Sequence, residues 1–60
     1  MTDDEIAIDI TVRLNTAIMA LYQARDITPE RNPFREIDRA LSDAISFAIV
    51  ARTRCGEIKP

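Results

Sequence analysis

The stretch Ile6-Ala7-Ile8-Asp9-Ile10-Thr11-Val12-Arg13-Leu14 decides the fold. Ile6, Ile8, Ile10 and Val12 alternate with other residues, as they would in a half-buried strand. A second period runs through the same residues. Ala7, Ile10, Leu14, Ala17, Leu21 and Ala24 recur at spacings of three and four, far beyond the length of a strand. The longer pattern wins, and the stretch reads as the first half of an amphipathic helix. Downstream, Phe34, Ile37, Leu41, Ala44, Ala48, Ala51 and Cys55 repeat the pattern over a near-equal length. Between the two stripes lies Thr28-Pro29-Glu30-Arg31-Asn32-Pro33, where the residue before each proline is biased away from helix.

The expected class is therefore all-α: an antiparallel two-helix hairpin, dimerising into a four-helix bundle. One domain covers residues 1–60. Thr2 with Glu5 three residues later is a capping-box pattern, and Asp3, Asp4 and Glu5 suit the positive end of a helix dipole. The first helix is placed at about 3–25, the loop at 26–32 and the second helix at about 33–54. Asn32 is the favoured N-cap of the second helix, with Pro33 in its first turn. Gly56, the only glycine, is placed as a left-handed C-cap, followed by a frayed tail to Pro60. Each helix is about 33 Å long at 1.5 Å per residue.

Sixty residues bury little surface, and a single core of this size supplies roughly 3–5 kcal/mol at most. The usual reinforcements are absent from the sequence. Cys55 is the only cysteine, so no intramolecular disulfide forms, and without histidine a zinc or haem site is not expected. Association is what remains. The acidic start, Met1-Thr2-Asp3-Asp4-Glu5, is unlike a secretory leader, and the uncharged run Leu14–Ala24 is too short to span a bilayer. These features predict a cytoplasmic protein with no membrane partner. A chain 47% hydrophobic and 30% charged is too apolar for disorder. The net charge of −2 divides as −3 over residues 1–27 and +1 over residues 28–60, so the two helices attract.

Each helix carries more apolar surface than one hairpin covers. On a helical projection Ile8, Val12 and Met19, with Tyr22 beside them, fall almost opposite the first stripe. Phe47 flanks the second stripe and Val50 faces away from it. Ile8, Val12, Met19, Tyr22, Phe47 and Val50 are the expected partner or dimer interface, the bland alternative being scattered surface hydrophobes. Ala44, Ala48 and Ala51 permit close helix approach, although alanine is also simply a good helix former.

Little in the sequence carries chemistry. The hydroxyls have no histidine base, and the carboxylates fall on exposed helix positions, so neither an enzyme nor a cofactor is expected. Cys55 has core spacing at a helix C-terminus, where the dipole disfavours a thiolate. Arg52 falls inside the second stripe and is expected to meet Asp3, Asp4 or Glu5. Arg25, Arg31, Arg35 and Arg39 form a basic row at the loop end, which offers phosphate contacts in a dimer. Glu36, Asp38 and Asp43 interleave with that row, and an Arg39–Asp43 pair would make it a solvated face instead. The expected function is a non-enzymatic protein–protein interaction module of bacterial or phage type: an adaptor, inhibitor or regulatory accessory protein acting as a homodimer or on another protein. The alternative is a nucleic-acid-binding regulator that uses the arginine row.

Overall fold

The computed structural model describes residues 1–58. Two helices, α1 (Asp3–Ile27) and α2 (Arg35–Gly56), pack against each other as a hairpin, with no strand among the described residues. The alternation at Ile6–Val12 yields to the helical period. Thr2 starts α1 as predicted. Its Oγ1 accepts the Glu5 N–H at 3.2 Å and donates to Glu5 Oε1 at 3.1 Å. The helix runs two residues past the predicted end, to Ile27. Thr28 closes it, donating its N–H to the Arg25 carbonyl (3.1 Å) and its hydroxyl to the Ala24 carbonyl (2.7 Å), which satisfies two terminal acceptors.

The other two expected caps are corrected. Asn32 does not cap α2. The Phe34 N–H donates to the Arg31 carbonyl at 2.7 Å, forming a turn that takes in Asn32 and Pro33, whose peptide is cis. The helix begins at Arg35, with Phe34 in the cap position and no side-chain cap bond. Asn32 is then too far upstream to reach the first free amides. Gly56 is the last helical residue and has no positive φ. The final carbonyls are taken instead by tightened backbone bonds, Glu57 N–H to Arg54 (3.1 Å) and Ile58 N–H to Cys55 (3.2 Å). The last two residues of the expected tail lie outside the described residues.

Two cross-hairpin hydrogen bonds fix the register. Arg52 Nη1 donates to Asn15 Oδ1 at 2.9 Å, and Arg25 Nη1 donates to Ser42 Oγ at 3.5 Å. Ten residues separate the two contacts on each helix, so α1 and α2 run antiparallel in step. Ala20 and Phe47, midway between them, stand level to within about one helical turn. This register also corrects the expectation for Arg52. Glu5, the nearest of Asp3–Glu5, lies ten residues before Asn15, which is about 15 Å along the axis. The guanidinium instead meets an amide on the facing helix.

The seam repeats at alternating steps of three and four: Ala7, Thr11, Leu14, Ile18 and Leu21 on α1, and Leu41, Ile45, Ala48, Arg52 and Cys55 on α2. Ala7, Ile18 and Ile45 are buried, while Leu14, Leu21, Leu41 and Ala48 are half-buried. Thr11 enters the seam by donating its hydroxyl to the Ala7 carbonyl at 2.8 Å. Ile10 and Ile37, expected between the helices, are 41% and 52% exposed, and Ile18 and Ile45 take their place. The predicted stripes thus contain half the seam and half of a neighbouring face. The apolar middle of the seam, Leu14–Leu21 against Leu41–Ala48, spans only about two turns of each helix. The hairpin is a rod with extents of 47 × 14 × 12 Å.

Candidate functional site

Because the helices are antiparallel and share a 3.5-residue seam, each long side of the hairpin collects one flank from each helix. The two sides differ in kind.

On one side, α1 presents Ile6, Ile10, Ala17, Ala20 and Ala24, and α2 presents Ile37, Ala40, Ala44, Phe47 and Ala51. We call this the alanine flank. Its large side chains stand in solvent, Phe47 at 75% exposure. Arg13 and, level with it on α2, the exposed Arg54 interrupt it near the chain termini. Arg13 is held along its own helix by Asp9 (3.3 Å), the one ion pair among the described residues.

On the other side, the polar flank, α1 presents Ile8, Val12, Asn15, Met19 and Tyr22, and α2 presents Arg35, Arg39, Ser42, Ser46 and Ile49. Both cross-hairpin hydrogen bonds lie here. So do three shallow grooves. One, near the termini, is lined by Asp4, Ala7, Ile8, Val12, Cys55 and Ile58. Arg25, Asp26, Thr28, Glu30, Asp38 and Ser42 line a polar groove at the loop end, and Asn32, Arg35, Glu36, Asp38 and Arg39 line another.

The residues expected to form one interface therefore divide. Ile8 and Val12, then Met19 and Tyr22, form an exposed strip on the polar flank that Asn15 divides. Phe47 belongs to the alanine flank, and Val50 lies on the outer back of α2. The arginine row divides as well. The Arg25 guanidinium lies 5.0 Å from the Tyr22 ring centre and donates to Ser42. Arg31 lies 5.8 Å from the Phe34 ring centre. Arg35 and Arg39 are exposed around a groove they share with Glu36 and Asp38. The Arg39–Asp43 pair is not formed. Cys55 is a half-buried free thiol beside Ala7.

Sequence reasoning missed the alanine flank as a separate surface because it assigned Ile10, Ala17, Ala24, Ile37, Ala44 and Ala51 to the hairpin interior. The signal was present. In both helices the apolar arc is wider than a seam, and it is displaced toward the same side. No helix of the described residues is long and apolar enough to cross a membrane. Comparison of the chain with protein-family models, curated proteins and solved structures finds no match.

Proposed function

We propose that the protein is a small non-enzymatic protein–protein interaction module, an adaptor, inhibitor or regulatory accessory protein, that acts through apolar helix faces left open by the hairpin and associates as a four-helix dimer. One observation carries this reading. Among the described residues twelve large apolar side chains are exposed, against three buried residues. Isolated surface hydrophobes are ordinary. Here eight of them, Ile8, Val12, Met19 and Tyr22 on one flank and Ile6, Ile10, Ile37 and Phe47 on the other, align along a rod whose own seam is thin. The strip Ile8, Val12, Met19 and Tyr22 has the spacing by which one helix anchors in another protein's groove or bundle.

The test is photo-cross-linking in the native host, with a photoreactive residue at position 19 in one strain and at position 35 in another. The interaction reading expects a discrete polypeptide adduct from position 19 that survives high salt. The alternative, a nucleic-acid-binding regulator, expects nucleic-acid adducts from position 35 that fade steeply with salt. It has less support, since Arg25 and Arg31 are engaged by aromatic rings and acids surround Arg35 and Arg39.

A further inference from the structure

We propose that the alanine flank is covered by the same flank of a second copy, with the two-fold axis running along the hairpin and Phe47 of one protomer seated on Ala17 and Ala20 of its partner. This rests on the interaction reading above and adds the face, the register and the symmetry of the dimer.

Three observations carry it. The first is the width of the apolar arcs. A helix that meets one neighbour needs only a seam, whereas a helix in a four-helix bundle meets two and extends its apolar arc to one adjoining flank. Both α1 and α2 extend theirs, and the antiparallel arrangement brings the two extensions onto a single side of the rod.

The second is area. A folded chain of 6.8 kDa is expected to expose about 4,000 Å². This one exposes 4817 Å². The excess, roughly 800 Å², is that of an elongated rod with one of its long sides uncovered. The Cα radius of gyration, 14.3 Å, tells the same story, since a compact chain of this length has about 10 Å. Doubling the rod across its width brings the assembly nearer to a compact shape.

The third is self-complementarity. Phe47 and Ala20 stand level across the hairpin to within about one helical turn, given the reach of the arginines in the Asn15–Arg52 and Arg25–Ser42 contacts. A two-fold axis along the rod preserves levels and exchanges helices, so α2 of one copy faces α1 of the other. The largest exposed side chain of the flank then meets its smallest residues, twice. Further along, Ile27 of one copy comes over Ala40 and Ile37 of the other. Every neighbouring pair of helices in the resulting bundle is antiparallel, as in an up-down-up-down four-helix bundle.

The experiment uses full-length Phe47→Glu and Ala20→Lys chains, followed by sedimentation and circular dichroism. Wild type is expected to sediment as a dimer. Each variant alone should lose self-association by roughly a hundredfold or more, because a carboxylate or ammonium is forced into the apolar contact without a counter-charge. Mixed one to one, they should form a heterodimer, in which one Glu–Lys contact and one native Phe47–Ala20 contact replace the two clashes. If both variants simply unfold alone, return of helicity on mixing still reports the interface. Val12→Glu, on the polar flank, should remain dimeric. A Phe47→Glu chain that still dimerises, or a mixture that behaves as the sum of its parts, overturns the proposal. A monomeric wild type that still gives polypeptide adducts from position 19 overturns this pairing and the dimer, and leaves standing only the module that binds another protein. A dimer without such adducts does the reverse.

Discussion

The two long sides of this hairpin come from the same two helices, and only one of them is tied across the seam by side-chain hydrogen bonds. On the polar flank the helices are tied to each other: Arg52 to Asn15, and Arg25 to Ser42 and Tyr22. On the alanine flank no side chain forms a bond across the seam, and isoleucines and Phe47 stand beside rows of alanine in water. Hydrogen bonds seal one side of the rod and fix its register. The other side is prepared for van der Waals contact with something equally apolar. A single seam would not need that asymmetry. A bundle would.

The comparison breaks most completely at the seam that both flanks share. Ile45→Ala should cost about 2–5 kcal/mol, comparable to everything a core this small supplies. Helicity by circular dichroism should collapse at every protein concentration, and both flanks should be lost together. A cooperative melt within a few degrees of wild type would mean that the seam is not the main core.

Thr2→Ala should be milder. Removing the hydroxyl that accepts the Glu5 N–H should cost about 1 kcal/mol of folding free energy. The cap is remote from both flanks, so the midpoint of chemical denaturation should shift by the same amount at every protein concentration, and its dependence on dilution should stay that of wild type. An altered dependence on dilution would place the N-terminus within the interface.

The polar flank is sharpened by a double-mutant cycle on Asn15→Ala and Arg52→Ala. Their coupling should be about 0.5–1 kcal/mol, as befits a partly exposed hydrogen bond to a charged group. Cross-linking of the dimer should be unchanged. Zero coupling would remove the contact that sets the register, and with it the level matching of Phe47 and Ala20. Smallest of all should be Asp9→Asn. The ion pair it breaks lies on the exposed surface, at 78% and 50% side-chain exposure, so its effect on the melting curve should be under about 0.5 kcal/mol.

Much of the hairpin is legible in the sequence. The Thr2–Glu5 start, the three/four spacing through Leu21 and the paired prolines give two helices and one break. The choice of seam is not legible, for a physical reason. Ile10, Ala17, Ile37 and Ala44 lie one flank away from Leu14, Ile18, Leu41 and Ile45, and a 3.6-residue period accepts either set. Only three-dimensional packing shows that the larger Ile18 and Ile45 win the interior. Arg52 was legible as a seam residue but not its partner, since the register depends on how the Arg31–Phe34 turn spends its residues. The strip Ile8, Val12, Met19 and Tyr22 was legible as exposed because it sits opposite the stripe on α1 alone. Its separation from Phe47 and Val50 was not, because that depends on which sides of the two helices end up together.

The central claim, that the alanine flank is an interface with a second copy, is tested most directly by thermal melting of the wild-type chain at two concentrations a hundredfold apart. If the bundle is the folded unit, dilution should lower the midpoint by on the order of ten degrees, and sedimentation at the higher concentration should show a dimer. A midpoint unchanged by dilution, with a monomer in the centrifuge at both concentrations, would contradict it.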